Sequence, residues 1–251
     1  TNELVLGGGA PQYDMPYKEP KYFSTLNDFT IEEINEPTDY NKALIKLLSS
    51  PTIASKKYVY EQYDSTVRTN TVIGPGSDAA IVRIKGSSKA LSISTDCNGR
   101  YVYLDPRKGG MIAVAESARN VVCSGALPLA ITNCLNFGNP QDPEIYWQFR
   151  EAVLGIGDAC RAFDTPVTGG NVSFYNESNL GAVYPTPVIG MVGILEDSSK
   201  HMDISFKDPG DTIVAIGAIN GELGGSEYLK QCHGIVEGPI PGINLEVESS
   251  L

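Results

Sequence analysis

The feature that most constrains the fold is a long helical pattern between two short apolar runs. Residues 143–163 (PEIYWQFREAVLGIGDACRAF) begin with a proline in a first-turn position, which favours a helix start. Four apolar residues recur along one predicted face of this helix: Ile145, Phe149, Val153 and Ile156. The runs on either side, LPLAITNCLNFGN (127–139) and TPVTGG (165–170), are typical of buried strands. A fold that mixes strands with crossover helices belongs to the α/β or α+β class.

The rest of the chain repeats this mixture of patterns. Strand patterns occur at residues 69–85 (on either side of a GPGSD turn), 89–96, 186–197 and 211–217. Helix patterns occur at residues 38–50, 54–64, 109–125 and 222–234. Thr38 or Asp39 is the expected N-cap of the first of these helices.

The chain divides into three predicted parts. Residues 1–40 are rich in Pro, Tyr, Gly and acidic side chains, and they indicate an extended connector, with disorder as the alternative. Residues 41–208 form the main predicted domain. Residues 209–251 contain the first strand and helix of a second domain that the chain does not complete. A chain that starts in a connector suggests an upstream domain that is missing.

Charge and cysteine content exclude several classes of function. Thirty acidic residues against nineteen basic ones give a formal charge of −11, which argues against nucleic acid as a partner. A small phosphorylated ligand remains possible, because backbone N–H groups can hold it. No apolar run approaches the ~20 residues that a membrane span needs. Five cysteines without a C-x-x-C spacing favour a reducing cytoplasm, and two histidines make a zinc site hard to assemble.

The stretch TPVTGGNVSFYNES (165–178) is the first candidate ligand edge. The glycine pair would let the backbone approach a ligand closely. The amide oxygen of Asn171 can ligate Mg²⁺, and Ser173 lies on the same face if the segment stays extended. The alternative is a tight turn in which Asn and Ser satisfy their own backbone.

Two further stretches are likewise candidates either for ligand binding or for ordinary turns. Asn133, Asn136 and Asn139 follow an apolar run, either as ligand groups at a strand end or as an Asn-rich turn. Asp78 and Asp96 lie at strand edges, where paired carboxylates suit Mg²⁺ but ordinary turn chemistry also places Asp. The chain contains neither a P-loop sequence nor a G-x-S-x-G nucleophile motif.

Long blocks of the chain resemble phosphoribosylformylglycinamidine synthases, and more narrowly their small, bacterial-type synthetase subunit (PurL). The blocks are GPGSDAAIVRIKG, STDCNGRYVYLDPRKGG, NCLNFGNP, TPVTGGNVSFYNE and YPTPVIGMVGILED. The resemblance implies the aminoimidazole ribonucleotide synthetase superfamily: a PurM-like N-terminal domain with barrel-forming strands and crossover helices, then the start of a second α/β domain of the PurM-like C-terminal type. Family members have two homologous halves, and this chain resembles part of the second.

The resemblance also implies an activity and its partners. The family is an ATP-dependent ligase that converts formylglycinamide ribonucleotide to the amidine with glutamine-derived ammonia, in purine biosynthesis, using ATP and Mg²⁺. The implied partners are the missing first half, a glutaminase subunit and a small accessory subunit, in the cytoplasm, with no membrane partner. The fragment alone is expected to be inactive. The alternative is a structural, barrel-completing and partner-docking module without catalytic contacts; other superfamily members, such as selenophosphate synthetase or thiamine-monophosphate kinase, fit the NCLNFGNP and GGNVSFYNE blocks poorly.

The family's second-half contacts match four positions of this sequence. Asn133 matches a nucleotide-contacting position where many relatives have Asp, and Gly170 matches a nucleotide-contacting backbone position. Asn171 matches a magnesium ligand and Ser173 a substrate contact. The family's catalytic His, nucleotide-binding Lys and metal-binding Glu belong to the missing half, so no catalytic residue is assigned here.

Overall fold

The computed structural model describes residues 13–217 and 221–251, and the first twelve residues of the predicted connector lie outside these ranges. A mixed six-stranded sheet forms the centre, in the order β1-β2-β3-β8-β4-β5, beside a small β6-β7 hairpin. The strands are β1 Thr71–Ile73, β2 Ala80–Arg83, β3 Ala90–Asp96, β4 Leu127–Asn136, β5 Val167–Ser173, β6 Glu177–Ser178, β7 Gly181–Ala182 and β8 Thr186–Leu195. The helices are α1 Tyr40–Leu48, α2 Lys57–Tyr60, α3 Gly99–Leu104, α4 Pro106–Cys123, α5 Pro143–Ala162 and α6 Leu245–Ser250. The predicted α/β class is confirmed.

Helix starts follow the capping rules closely. The carboxylate of Asp39 accepts a hydrogen bond from the Lys42 backbone N–H at the start of α1, as the sequence predicts. Asp105 caps α4 and Asp142 caps α5, each directly before a proline at the first helical position. These short local signals explain why α5 begins at the predicted Pro143, and why α4 begins at Pro106, three residues before the predicted start at residue 109.

Helices α4 and α5 pack closely because glycines line their contact. A Cβ built on Gly155 would lie 1.9 Å from the Arg107 carbonyl oxygen, and one on Gly110 would lie 2.6 Å from the Ala152 carbonyl oxygen. The predicted apolar face of α5 is only partly right, since Ile156 is buried but Val153 is 40% exposed. The residues of α5 that are buried are mostly small: Gln148, Ala152, Gly155, Ile156, Ala159 and Cys160. The buried face of α5 is therefore determined by residues small enough to allow close helix contact, and not by the large apolar side chains.

The helices cover one face of the sheet and leave the other open. In β8 every second residue, from Pro187 to Leu195, is buried, while the residues between are only half-buried. Strand pairing carries this alternation to the neighbouring strands. Apolar side chains of the open face include Leu91, Ile93, Leu127, Val188, Val192 and Ile194.

The last part of the chain departs from its predicted elements. Residues 211–217 do not form the predicted strand, and Ile213 and Ile216 are 78% and 80% exposed. No strand in the described ranges pairs with this segment, so its backbone lacks the hydrogen-bond partner that a strand requires. The helix predicted for residues 222–234 is reduced to a π-helical turn at Leu229–His233, and that predicted for 54–64 to α2. The boundaries 41–208 and 209–251 stay predictions.

A buried ion pair holds this last part against the main domain. Arg100 of α3 donates through Nη2 to Glu227 at 2.5 Å and through Nε to the Gly225 carbonyl oxygen at 2.9 Å. The side chains of Arg100 and Glu227 are only 9% and 11% exposed. Burial by itself raises the pKa of Glu227, but hydrogen bonds from Gln231 and Arg100 outweigh it and hold that pKa below its usual value.

A carboxyl group with a lowered pKa predicts a pH-dependent stability. Glu227 should stabilise the fold fully above its unfolded pKa of about 4.3, and this contribution should be lost as the pH falls through the folded pKa. We expect Glu227→Gln to lower the free energy of unfolding by about 2 kcal/mol at pH 7, with a difference that shrinks below pH 4. Urea unfolding between pH 7 and pH 3 measures this. A difference that is constant with pH would contradict the lowered pKa.

No helix in the described ranges is long and apolar enough to cross a bilayer.

Candidate functional site

The four site residues predicted from the sequence lie on two adjacent parallel strands. Residue pairing across β4 and β5 sets Asn133 opposite Gly170, Cys134 opposite Asn171 and Asn136 opposite Ser173. The strand β5 runs through the glycine pair to Ser173, three residues beyond the predicted strand TPVTGG. The prediction that Asn171 and Ser173 share a face if the segment stays extended agrees with this strand.

The close contact with Asn133 leaves room only for a glycine at position 170. A Cβ at Gly170 would lie 2.2 Å from the Asn133 side-chain oxygen and 2.3 Å from its backbone oxygen. The φ of Gly170 is +153°, in the region that side chains disfavour. Gly169, by contrast, has no atom within 4 Å of an added Cβ. Only the second glycine of the pair is therefore forced by the structure.

The structure places the four residues on two faces of the strand pair. Asn133 alternates in step with the buried Ile131 and Leu135, so it lies on the helix-covered side. Asn171 and Ser173 lie on the open side. Because each residue advances a strand by about 3.3 Å, Ser173 is about 10 Å along the strands from the Asn133–Gly170 pair. Strand β5 is the edge of the sheet, so a ligand at this edge can reach both faces.

Two of the predicted amide groups are free to bind a ligand. Within residues 13–217 and 221–251, no group forms a hydrogen bond with the side chain of Asn133 or Asn171. Asn133 is half-buried and Asn171 is exposed. Water can satisfy amides that are exposed or half-buried, and the same exposure leaves both side chains accessible to a ligand. The geometry is thus compatible with the ligand alternative at these two positions.

Two other asparagines of the same stretch satisfy the backbone instead. Asn136 donates to the carbonyl oxygens of Cys134 and Thr186, at 3.0 and 3.1 Å. Asn139 accepts a hydrogen bond from the Gln141 backbone N–H at 2.9 Å. The turn alternative is therefore correct for Asn139, whereas Asn136 is the last residue of strand β4 and bonds across to β8.

Ser173 is held by a residue that the sequence did not single out. The side chains of Ser173 and Asn176 are in hydrogen-bond contact at 3.3 Å, and Asn176 also bonds two backbone carbonyls. A sequence signal existed, because Asn176 lies three residues beyond Ser173 in a short polar run. Its partner across the strand ends, the Phe137 carbonyl, could not be read from local pattern.

Asp78 and Asp96 line one cavity of about 420 Å³, together with Asn120. The Asp96 carboxylate already accepts hydrogen bonds from Ser117 Oγ and Asn120 Nδ2, each at 2.9 Å. Burial and the charge of Asp96 raise the pKa of the neighbouring Glu116, which does not line the cavity. No group of three or more His, Cys, Asp or Glu residues in the described ranges could hold a metal ion. Metal binding by Asp78 and Asp96 stays a prediction.

The sequence of this domain matches those of known proteins. Residues 76–195 match the family described as AIR synthase related protein, N-terminal domain. These residues form a domain of this family. The chain is 56% identical over 249 residues to the phosphoribosylformylglycinamidine synthase subunit PurL of Alkaliphilus metalliredigens, and 54% identical over 247 residues to that of Moorella thermoacetica. These alignments cover 99% and 98% of the chain but 34% of each relative, so the chain spans about a third of the curated relatives it matches.

Solved structures from Thermotoga maritima have the same domain fold. A chain of the PurLQS structure superposes with a TM-score of 0.58 at 32% identity, covering 77% of this chain and 29% of that chain. PurL complexed with FGAR superposes with a TM-score of 0.54 at 33% identity, covering 76% and 28%. Another structure is described as PurL complexed with ATP. The predicted PurM-like fold is confirmed.

Proposed function

We propose that this chain supplies one wall of the ATP and ribonucleotide site of a phosphoribosylformylglycinamidine synthase. The observation that carries this proposal is the 56% identity to a PurL subunit over nearly the whole chain. The relatives are about three times as long, so the opposite wall comes from residues outside this sequence. The reaction is the ATP-dependent conversion of formylglycinamide ribonucleotide to the amidine with glutamine-derived ammonia.

In this proposal Asn133 and Gly170 bind the nucleotide. Asn133 offers an amide that forms no hydrogen bond within the described part of the chain, and Gly170 has no side chain between its backbone and a ligand. Relatives that carry Asp at the position of Asn133 would place a full negative charge there. The amide keeps the oxygen acceptor and removes the charge, so the contact is expected to persist in a weaker form.

Asn171 fits a magnesium ion as a single protein ligand. Its amide oxygen is a hard donor, it is exposed, and it makes no bond within the described part of the chain. One amide oxygen cannot hold Mg²⁺ alone, so phosphate oxygens and groups outside this chain complete the ligand set. A bound Mg²⁺ would neutralise negative charge on the phosphates.

The task of this chain in catalysis is positioning. Neither histidine lies among the site residues: His201 Nδ1 is in hydrogen-bond contact with the Ser198 carbonyl oxygen, and the His233 ring contacts the Tyr228 ring. Without an acid or base at the strand pair, the chain can only bind and orient the reactants. We therefore expect no turnover from these 251 residues alone. Glutaminase and accessory subunits complete the enzyme in this proposal, in the cytoplasm, and the free state of all five cysteines suits that compartment.

A second candidate is a structural module that completes a barrel and docks partners. The observation in its favour is the open apolar face of the sheet, which includes Leu127 at 67% exposure. A face of this kind is usually covered by another element. The two candidates differ in one respect, because only the first requires ligand contacts from the strand pair.

Magnesium dependence separates the two candidates. In the complete synthase, Asn171→Ala should raise the Mg²⁺ concentration for half-maximal activity on the order of 10-fold, since one ligand is lost. Asn171→Asp is the matched variant, because it keeps an oxygen donor and should stay close to the parent protein. The measurement is initial rate against Mg²⁺ at fixed ATP. Unchanged Mg²⁺ dependence and turnover in Asn171→Ala would reject the first candidate and leave the structural one.

A further inference from the structure

The orientation of the Asn176 amide is fixed by two backbone carbonyls. Its Nδ2 lies 2.9 Å from the Phe137 carbonyl oxygen and 2.9 Å from the Ser173 carbonyl oxygen. Carbonyl oxygens only accept hydrogen bonds, so the nitrogen and not the oxygen of the amide must face them. The usual ambiguity between amide nitrogen and oxygen is thereby removed.

Donor counting then fixes the Ser173 hydroxyl. The amide nitrogen of Asn176 carries two hydrogens, and the two carbonyls use both. Ser173 Oγ lies 3.3 Å from both Nδ2 and Oδ1 of Asn176. Because no amide hydrogen remains for Ser173, a hydrogen bond between the two side chains can only be one in which the Ser173 hydroxyl donates to Oδ1, and the 3.3 Å contact allows this bond. Its oxygen lone pairs stay available to a ligand.

We propose that Asn176 is a positioning residue that turns the Ser173 hydroxyl inward as a donor, so that Ser173 meets its ligand only as a hydrogen-bond acceptor. The group that contacts Ser173 is then a hydroxyl or N–H donor of the substrate and not a phosphate oxygen. This inference rests on the proposed function only in taking Ser173 as a substrate contact. The orientation of the hydroxyl rests on the hydrogen bonds alone.

The surrounding backbone makes this orientation rigid. The Phe137 N–H donates to the Ser173 carbonyl at 3.0 Å, and the Asn176 N–H donates to the Phe137 carbonyl at 3.2 Å. Tyr175, between them, has a φ of +61°, which costs a non-glycine residue about 1 kcal/mol. Its N–H donates to the Gly138 carbonyl at 3.0 Å. A strained turn held at both strand ends is typical of sites that need a side chain in one place.

Kinetics of the complete synthase test the coupling. Asn176→Ala and Ser173→Ala should each raise the KM for formylglycinamide ribonucleotide about 5-fold to 10-fold and leave the KM for ATP within about 2-fold. The double variant should raise the KM for the ribonucleotide no more than the single variant with the larger effect does, because Asn176 acts through Ser173. Asn244→Ala is the matched control, since it also removes an asparagine with two backbone hydrogen bonds, at the start of α6. Additive effects, or an equal rise in the KM for ATP, would overturn the inference.

Inorganic phosphate tests the acceptor assignment. Its competition with the ribonucleotide should have the same inhibition constant in the parent protein and in Ser173→Ala. A weaker inhibition by phosphate in Ser173→Ala would show that the hydroxyl donates to phosphate, which contradicts the assignment.

A crystal structure of Asn176→Ala separates this inference from the proposed function. We expect the Ser173 hydroxyl to leave its present rotamer or to occupy two. An unchanged rotamer would overturn the positioning role whatever the kinetics show. If Ser173→Ala leaves the ribonucleotide KM unchanged while the rotamer moves in Asn176→Ala, the substrate contact is wrong and the positioning role stands.

Discussion

Gly155→Ala should lower the free energy of unfolding by about 3 kcal/mol, whereas Gly157→Ala, two residues later, should leave it unchanged or raise it slightly. At Gly155 an added methyl group would lie 1.9 Å from the Arg107 carbonyl oxygen of the facing helix α4. Backbone cannot move aside without separating the two helices, so overpacking is costly here. The buried contact between α4 and α5 forms much of the layer on the covered face of the sheet.

The control at Gly157 has the same chemistry without the collision. Its added methyl group would meet only the Arg161 side chain, at 3.3 Å from Nη1, and this side chain is 72% exposed and can move. Replacing a helical glycine with alanine then gains about 0.5–1 kcal/mol. Urea unfolding of both variants measures the difference. If both variants lose the same stability, the close contact of α4 and α5 is not what holds the helical layer.

Elements with a clear local signal were predicted well. Strand β3 ends at Asp96 and helix α5 begins at Pro143, as the periodicity and the proline indicate. The inner face of α5 was predicted less well, because a pattern of large apolar residues selects Val153, while glycine and alanine determine how closely the helices approach. The strand predicted at 211–217 failed for another reason. Its apolar composition is that of a strand, but a strand needs a neighbour, and the described residues do not provide one.

The candidate site, too, could be predicted only where the sequence carries a local signal. The sequence predicts that polar groups gather where apolar runs end, and the pairing of β4 with β5 does bring Asn133 beside Gly170. The division of the site between two faces could not be predicted, because it depends on the register of one strand against the other. The role of Asn176 depends on the Phe137 carbonyl, which lies 39 residues earlier in the chain. Local sequence carries no information about such a contact.

The placement of the site at a sheet edge fits a chain that acts with further residues. Within the described ranges the side chains of Asn133 and Asn171 form no hydrogen bond, and Ser173 offers only an acceptor. Asn171 and Ser173 lie on the edge strand β5, and Asn133 lies on its neighbour β4. A ligand that used all three would still contact solvent on its other side. Binding strength must therefore come from groups facing this edge, which is the arrangement expected if the relatives' remaining length supplies the opposite wall. The amides of Asn133 and Asn171 then fix the orientation of the ligand, while charged groups outside this chain supply most of the binding affinity.

Gly170→Ala should lower the free energy of unfolding by about 3 kcal/mol and abolish nucleotide binding in the complete synthase, whereas Gly169→Ala should do neither. At Gly170 the new methyl group would collide with both oxygens of Asn133, and its φ of +153° is strained for alanine. To relieve the collision, β5 must move away from β4, which removes Asn133 and Asn171 from their common edge. The site and the strand pair should thus fail together.

Gly169 provides the control, because an added Cβ there meets no atom within 4 Å. Thermal unfolding and equilibrium binding of an ATP analogue, measured for both variants, give the two readouts. Loss of binding in both variants would mean that ligand, and not Asn133, occupies the space beside the glycines. Retained binding in Gly170→Ala, despite lower stability, would show that the nucleotide does not use this strand pair, and the proposed contacts of Asn133 and Gly170 would have to be abandoned.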